Sequence, residues 1–327
     1  MSAMRHILAS SLLLRGALAG LYPGLSTDNH TCSLAPPVLS CSEGAQPDLV
    51  DTCCTETFGG LVLQTQFWNT YTGLEAEGQV LPKDAWTIHG LWPDFCNGSY
   101  TQYCDPSRQY DPEPYPNTTT GTPSGEPVVP WTGVSIDEFV KPFGKWDLLA
   151  YMKKFWTGQS QPSAVLWAHE FSKHATCFSN FDVECYGPLY ARAPHADVAD
   201  YFATVVGYYR DLPTWAWLAA RGVRPSNATT YSLSDVQGAL RRRGAFGRVP
   251  YVGCAGPRYN ETAAGRGSAD AGYTVLVEVW YYHHVLGRVQ SGKGLPVDAD
   301  IAGGRVTNCA TTPGAIWYYE RTAGSEV

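Results

Sequence analysis

One short segment, residues 169–174 (HEFSKH), concentrates the side chains that acid–base chemistry uses. A helix turns by about 100° per residue, so Glu170 and His174, four residues apart, share one face. His169 and Lys173 form a second pair with the same spacing beside them. Two imidazoles, a carboxylate and an ammonium could move protons and stabilise negative charge, as cleavage of a phosphodiester requires.

A second segment, residues 86–93 (WTIHGLWP), supplies another histidine, His89. If residues 169–174 stood alone, an ordinary surface helix with i,i+4 ion pairs would explain them as well as a catalytic site does. A histidine on a separate element changes this balance, because an acid and a base can then approach one phosphate from two sides. We therefore interpret the two segments as parts of one site.

Zinc metalloprotease chemistry is the main alternative from another enzyme class. Its H-E-x-x-H helix places two histidines four residues apart so that both reach one ion. His169 and His174 are five residues apart, which is about 140° around a helix, and cannot bind one metal from it. We expect neither a metal nor another cofactor.

These segments resemble the ribonuclease T2 family of secreted endoribonucleases, which cut single-stranded RNA through a 2′,3′-cyclic phosphate. The matching stretches are residues 86–93, residues 166–177 (LWAHEFSKHATC) and residues 59–68 (GGLVLQTQFW). The family more often has Trp at the position of Phe171 and Gly at that of Ala175, which affects packing but no ionisable group. The resemblance, which includes cysteine order, covers most of the chain.

The resemblance implies a role for each polar residue of the two segments. His174 is the candidate base that takes the 2′-hydroxyl proton, and His89 is the candidate acid that protonates the departing 5′-oxygen. Glu170 and Lys173 would stabilise or orient the transition state, and His169 would contact phosphate. The internal 2′-oxygen is already positioned as nucleophile, so DNA is not an expected substrate.

Trp92, Asp94 and Tyr100 match the family's first base pocket. An indole and a phenol can sandwich a base, and a carboxylate can accept from an exocyclic amine such as that of adenine. Taken alone, these aromatic residues would more often belong to a core. Low base specificity with an adenine preference is the resulting expectation, and single-stranded RNA is the expected partner.

Ten cysteines form an even set, which suits five disulfides in an oxidising compartment. Sequence alone does not determine their pairing; the resemblance implies Cys32–Cys54, Cys41–Cys96, Cys53–Cys185, Cys104–Cys177 and Cys254–Cys309. Glycosylation sequons indicate the same secretory route, and they lie at Asn29, Asn97, Asn117, Asn227 and Asn260.

The first 19 residues have the pattern of a secretory signal peptide. Arg5 precedes an apolar run, and residues 17–19 (ALA) offer an A-x-A cleavage site. The best later apolar stretch, residues 273–285, contains Glu278 and two histidines, so no membrane span is expected. We predict a secreted protein, or one delivered to a vacuolar or lysosomal lumen.

Charge excludes binding of a polyanion through a broad basic surface. The chain has a net charge of −7, and residues 20–327 carry −9, because residues 1–19 hold two arginines and no acidic residue. Substrate must therefore be held in a local pocket with aromatic stacking. A catalytically silent secreted glycoprotein that acts by binding is the alternative, although it has no need of the paired His89 and His174.

Residues 20–327 are predicted to form one monomeric domain of the α+β class, an antiparallel sheet packed against several helices and stapled by disulfides. His195, His283 and His284 lie outside both segments and are interpreted as structural or surface residues. The periodicity predicts strands at 61–68 and 85–89, followed by a Pro/Thr/Gly-rich surface insertion at 105–135. It predicts helices at 136–156, 163–177 and 196–210, and a further short helix capped by Ser234. After residue 251 it predicts strands, in which Val275, Val277 and Val279 share a face.

Overall fold

The computed structural model describes residues 30–260, 270–300 and 305–327. The predicted signal peptide, residues 1–19, and the sequon asparagine Asn29 lie outside these residues. A seven-stranded sheet has the order β2-β1-β5-β7-β3, and β4 and β6 also pair with β5. The strands are β1 (Leu61–Phe67), β2 (Thr87–Asp94), β3 (Thr230–Tyr231), β4 (Tyr251–Arg258), β5 (Tyr273–Val285), β6 (Gly294–Val297) and β7 (Ile316–Trp317).

Six α-helices accompany the sheet in the described part of the chain, which confirms the predicted α+β class. The sheet is antiparallel except where β7 runs parallel to β5 at one residue pair. The helices are α1 (Asp137–Val140), α2 (Trp146–Phe155), α3 (Ser163–Lys173), α4 (Ala196–Arg210), α5 (Thr214–Ala219) and α6 (Leu233–Arg241).

Several predicted element boundaries are wrong, each for a local reason. The helix predicted over 136–156 is two helices, because Pro142 lies in a 3-10 turn that ends at Gly144 with φ of 66°. Ser163 does not cap α3, since its hydroxyl donates to the side chain of Gln79 at 2.8 Å. The cap of α6 is Ser232, two residues before the predicted one, in a capping box with Asp235.

Helices cover one face of the sheet and leave the other open for a site. Val62 of β1 belongs to the larger core with residues of α2, α3 and α4, whereas its neighbours Leu61 and Leu63 belong to a small cluster that includes Tyr282. Side chains alternate between the two faces along a strand, so these two clusters lie on opposite faces. Trp92 packs against the smaller cluster.

A β-bulge at His89 determines which face each residue of β2 presents. Thr65 pairs with Gly90 and the next residue of β1, Gln66, pairs with Ile88, so His89 has no partner in the ladder. The extra residue lets Ile88 and Leu91 both enter the main core. His89 is thereby turned out of the core, and its free carbonyl accepts a hydrogen bond from the Trp156 indole at 2.8 Å.

A second bulge interrupts β5 and explains a wrong prediction about its alternation. Gly253 pairs with Glu278 and the following Cys254 pairs with Leu276, which leaves Val277 unpaired. Leu276 and Val279 are consequently both buried, while Val277 is only partly buried. The expected shared face of the three valines fails because the bulge inverts the alternation between them.

The segment predicted as a surface insertion, residues 105–135, is mostly buried along its first seven residues, of which only Pro106 and Ser107 are exposed. Asp105, Arg108, Tyr110 and Asp111 are buried. The guanidinium of Arg108 donates to Asp105 at 2.6 Å and to Asp197 of α4 at 3.1 Å. These paired charges attach the start of the loop to the helices, which hydropathy alone did not reveal.

Five disulfides close the fold and join the same pairs that the resemblance implies: Cys32–Cys54, Cys41–Cys96, Cys53–Cys185, Cys104–Cys177 and Cys254–Cys309. Cys104–Cys177 ties the chain after β2 to the end of α3. Two hydrogen bonds flank it, from Tyr103 N to Lys173 O and from Cys104 N to the Thr176 hydroxyl, both at 3.0 Å. No helix among the described residues is long and apolar enough to cross a membrane.

Removing this bridge should lower stability. We expect the paired substitution Cys104→Ser and Cys177→Ser to reduce the free energy of unfolding by about 2–5 kcal/mol, because the denatured chain gains conformational freedom. Denaturant titration followed by tryptophan fluorescence measures this change. Hydrogen exchange should also accelerate at residues 103 and 104, whereas unchanged exchange there would show that the backbone hydrogen bonds hold the end of α3 without the disulfide.

Candidate active site

A buried carboxylate, Glu170 of α3, lies at the centre of the polar cluster and is fully inaccessible to solvent. Its Oε2 accepts a hydrogen bond from Trp92 Nε1 at 2.8 Å. His89 Nε2 lies 3.4 Å from Oε1, and His174 Nε2 lies 4.0 Å from Oε2. One side chain thus faces both imidazoles that the sequence singled out.

The Glu170 carboxylate can occupy this position only because residue 90 has no side chain. A Cβ added to Gly90 would lie 1.8 Å from Glu170 Oε2 and 2.9 Å from Trp92 Nε1. No Cβ can approach other atoms so closely without moving them. A glycine is therefore required at residue 90 to leave space for Glu170, and not because the chain turns there.

His89 is held from three sides. Its Nδ1 is 2.6 Å from Glu278 Oε1, so that carboxylate orients the ring and leaves Nε2 facing Glu170. Phe67 stacks on the imidazole with ring centroids 3.8 Å apart. The ring nonetheless remains 19% exposed, which gives it access to a bound substrate.

His174 is the residue directly after α3, and its backbone N–H still bonds to Glu170 O at 3.1 Å. Its ring stacks on Trp92, with centroids 5.0 Å apart and planes 19° apart. Burial lowers the pKa of His174 well below 6.5, and the positive charge of Lys173 lowers it further. The imidazole is consequently neutral over a wide pH range, as a proton acceptor must be.

His169 and Lys173 form a neighbouring group, with Lys173 Nζ 3.5 Å from His169 Nε2. The other ring nitrogen of His169 lies 2.7 Å from the Asp111 carboxylate, which also accepts from the Tyr103 hydroxyl at 3.0 Å. Lys173 donates to the carbonyl of Tyr115 at 3.1 Å. Burial lowers the pKa of Lys173 from its usual value. The loop that follows β2 therefore supports this half of the site.

All five predicted catalytic side chains line one cavity of about 460 Å³. Trp92, Asp94 and Tyr100 line it as well, so the structure brings every predicted site residue together there. Tyr100 is 65% exposed and is therefore not a core aromatic. The other half of the lining comes from Gly98, Gln102, Pro116, Tyr251, Trp280, Tyr282 and Arg305.

Asp94 differs from the ionised carboxylate that the sequence analysis assumed. Burial raises its pKa to about 7. Below that pH the group is a neutral carboxylic acid, which can donate one hydrogen bond as well as accept. At acidic pH Asp94 can therefore pair with an acceptor on a base in addition to an exocyclic amine.

Four further residues that contact the site were not predicted from the sequence: Glu278, Asp111, Trp280 and Tyr251. Trp280 lies against Trp92 edge to face at 5.2 Å, and Tyr251 stacks on Trp280 at 4.2 Å. A charged residue inside an otherwise apolar strand was a usable signal for Glu278. Nothing comparable marks the aromatic residues or Asp111, because the sheet brings the aromatic residues to the cavity and the loop after Cys104 brings Asp111 to His169.

Metal-binding side chains also converge at one place in the described residues, at His30, Asp51 and Cys53. None of the three lines the cavity. Cys53 is bonded to Cys185, so its sulfur is not a thiolate that could bind a metal ion. This group therefore does not form a cysteine-ligated metal centre in the disulfide-bonded protein.

Comparison with known proteins identifies the family. The model of the ribonuclease T2 family matches residues 59–285. A ribonuclease T2-like protein of Aspergillus fumigatus is 33% identical over 94% of this chain, and Ribonuclease Trv of Hypocrea rufa is 32% identical over 89% of this chain and 98% of its own length. The chain spans 62% of the Aspergillus fumigatus protein and 49% of a ribonuclease T2-like protein of Emericella nidulans.

Structural comparison gives the same result. A crystal structure of Actibind, described as a T2 ribonuclease, superposes with a TM-score of 0.63 at 29% identity and covers 90% of this chain and 99% of its own. The fold, the family match across both histidine segments and the fungal relatives agree with one another. The chain therefore belongs to the ribonuclease T2 family.

Proposed function

We propose that the protein is a secreted endoribonuclease that cleaves single-stranded RNA by metal-free transesterification through a 2′,3′-cyclic phosphate. One observation carries this proposal: His89 and His174 lie 3.4 and 4.0 Å from the two oxygens of the same buried carboxylate, at the wall of one cavity. An acid and a base that flank one phosphate are what this reaction requires. The family to which the chain belongs supports the same chemistry.

In the first half of the reaction His174 takes the proton of the ribose 2′-hydroxyl, and the 2′-oxygen attacks phosphorus. The buried, neutral imidazole has the free lone pair that this step needs. Its stacking on Trp92 and its backbone bond to Glu170 O fix the ring. The nucleophile belongs to the substrate, so no external water has to be positioned.

In the second half His89 gives a proton to the departing 5′-oxygen. Glu278 accepts a hydrogen bond from Nδ1, so a proton on Nε2 can be transferred towards the cavity. The bond between phosphorus and the 5′-oxygen breaks as this oxygen receives the proton, and the new bond to the 2′-oxygen remains. The products are a 2′,3′-cyclic phosphate and a fragment with a free 5′-hydroxyl.

Negative charge on the phosphorane oxygens grows between these two steps. Lys173 and His169, held by the Tyr115 carbonyl and by Asp111, offer positive charge and a hydrogen bond to these oxygens. Glu170 keeps both catalytic imidazoles and the Trp92 indole in place. Its complete burial makes this arrangement rigid.

Base binding involves Trp92, Asp94 and Tyr100, with adenine favoured because Asp94 can pair with an exocyclic amine. Trp92 already stacks on His174 with one face and bonds to Glu170, so it positions the catalytic groups besides forming the wall of the pocket. Replacement of Trp92 should therefore affect turnover as well as substrate binding.

The secretory route rests on covalent features. Five disulfides require an oxidising compartment, and among the described sequon asparagines Asn97, Asn117, Asn227 and Asn260 are exposed, as attached glycans require. Residues 1–19 would direct the chain there, with residues 20–327 as one monomeric catalytic domain. The destination is the medium or a vacuolar or lysosomal lumen.

Substrate chemistry gives the most direct test. With EDTA present, the protein should cleave RNA to fragments that end in 2′,3′-cyclic phosphate, and it should leave single-stranded DNA and fully 2′-O-methylated RNA intact, because both lack the nucleophile. Mass spectrometry of defined oligoribonucleotides reads the ends. Cleavage of DNA, or RNA fragments with 5′-phosphates, would contradict this mechanism, and complete inactivity would favour a silent binding glycoprotein.

Each catalytic histidine should be separately indispensable. We expect His89→Ala and His174→Ala to lower kcat by roughly 10²–10⁴-fold, since each removes one proton transfer. His284→Ala serves as a matched control, because His284 does not line the cavity and should keep full activity. Circular dichroism must show an intact fold in all three variants. Near-normal turnover by either catalytic variant would reject the assigned roles.

The pH profile should be bell-shaped with its maximum on the acidic side of neutrality, because one histidine must be protonated while the other is neutral. The pKa of His174 lies well below 6.5, so the acidic limb should fall there. Lys173→Gln removes a positive charge that lowers this pKa, and it should move the acidic limb towards higher pH.

Two control variants make this pH experiment specific. Lys153→Gln changes an exposed lysine of α2 and should leave the profile in place. Asp94→Ala removes a carboxyl whose pKa is raised to about 7, so any limb that vanishes in this variant belongs to base binding. An acidic limb that stays where it is in Lys173→Gln would show that a group other than His174 produces it.

A further inference from the structure

Positive charge is concentrated in one part of this acidic chain. Residues 212–258 contain one acidic residue, Asp235, and seven of the 23 basic residues, although the whole chain has a net charge of −7. The seven are Arg221, Arg224, Arg241, Arg242, Arg243, Arg248 and Arg258. Net charge alone therefore hides a local basic region.

Three of these arginines line a groove of about 620 Å³, which we call the arginine groove. Arg221 contributes from the turn after α5, and Arg241 and Arg242 contribute from the end of α6, together with Tyr231. None of the three arginines takes part in an ion pair within the described chain. The one acidic side chain in the groove, Asp235, is engaged by the backbone N–H of the α6 cap at 3.0 Å.

Arg242 also has an unused hydrogen-bond donor. Its Nε is buried and has no hydrogen-bond partner among the described residues. A buried donor without an acceptor costs free energy, so this guanidinium has hydrogen-bonding capacity that the described residues do not use. Arg221 and Arg241, by contrast, are exposed.

The arginine groove is connected to the catalytic cavity through one short segment. The side chain of Gln237, in the middle of α6, donates to the carbonyl of Val306 at 3.1 Å. The preceding residue, Arg305, lines the catalytic cavity. On the other side, Arg248 lies three residues before Tyr251, which also lines the cavity. The bond from Gln237 to Val306 therefore links the helix that forms the groove to Arg305, a basic residue of the cavity wall.

A nucleic acid strand fits these features better than a lipid surface does. Proteins that track a single strand combine a cationic groove with aromatic side chains, and here Tyr231 lines the groove beside the arginines. A membrane-binding surface needs exposed apolar residues beside the charges. None of the exposed large hydrophobic residues of the described chain falls within residues 212–258.

We propose that the arginine groove binds the phosphates of a single-stranded RNA whose cleavage site lies in the catalytic cavity, so that long RNA is held at two places. This inference rests on the proposed function for the identity of the strand. It also reconciles an acidic protein with a polyanionic substrate, because the field at the groove is local. Long substrates should gain affinity from it, and dinucleotides should gain none.

The test compares a long ligand with a minimal substrate. In Arg221→Glu/Arg241→Glu, binding of a fluorescent 2′-O-methyl RNA of about 20 nucleotides should weaken by roughly tenfold or more at low salt, and the slope of log affinity against log salt should become shallower by about 1.4. Cleavage of a dinucleoside monophosphate should be unchanged, because it reaches only the cavity. Arg221→Ala/Arg241→Ala should show a smaller loss in the same direction.

The control for net charge is Lys83→Glu/Arg192→Glu, which changes two exposed residues outside both sites and should bind the long RNA normally. Equal weakening by this control, or unaltered binding by the groove variants, would overturn the proposal. The proposal would also be overturned if the groove variants lost binding to anionic vesicles while their binding of the long RNA stayed unchanged. Failure of the unaltered protein to cleave the dinucleotide would instead refute the proposed function, since oligonucleotide binding is measured without cleavage.

Discussion

Burial of the Glu170 carboxylate is the constraint on which the rest of the site depends. A buried carboxyl group needs polar partners, and here the Trp92 indole donates to it while the two imidazoles lie within 4.0 Å of its oxygens. The absence of a side chain at Gly90 provides the space. The helix that carries Glu170 and the strand that carries His89 and Gly90 must therefore lie in direct contact.

Several features achieve this meeting of α3 and β2. The bulge in β2 turns His89 out of the core, and the indole of Trp156 bonds to the carbonyl that the bulge leaves free. Cys104–Cys177 and the buried start of the 105–135 segment hold the chain after β2 against the end of α3. Backbone irregularities and covalent links, rather than the regular sheet, thus determine where the reacting groups lie.

The pKa values of the site residues also depend on their local environment. The cavity lowers the pKa of His174 and Lys173 and raises that of Asp94, in each case chiefly because burial disfavours the charged form. An acidic chain can bind a polyanion if its positive charge is confined to defined places, and the arginines of residues 212–258 are such a place. The net charge of the chain therefore does not predict which ligands its surface can bind.

The sequence by itself determined the α+β class, the family resemblance, the five catalytic candidates and the three residues proposed to bind a base, because short motifs encode residue type and spacing directly. It did not determine the break at Pro142, the two bulges, or the buried loop at Asp111, since these arise from competition between distant segments. Strand pairing brings Trp280 and Tyr251 to the cavity and Glu278 to His89, and the buried position of Glu170 depends on Gly90 from another element. Spacing along the chain identifies groups that can react, but only tertiary packing decides their partners, their burial and hence their protonation.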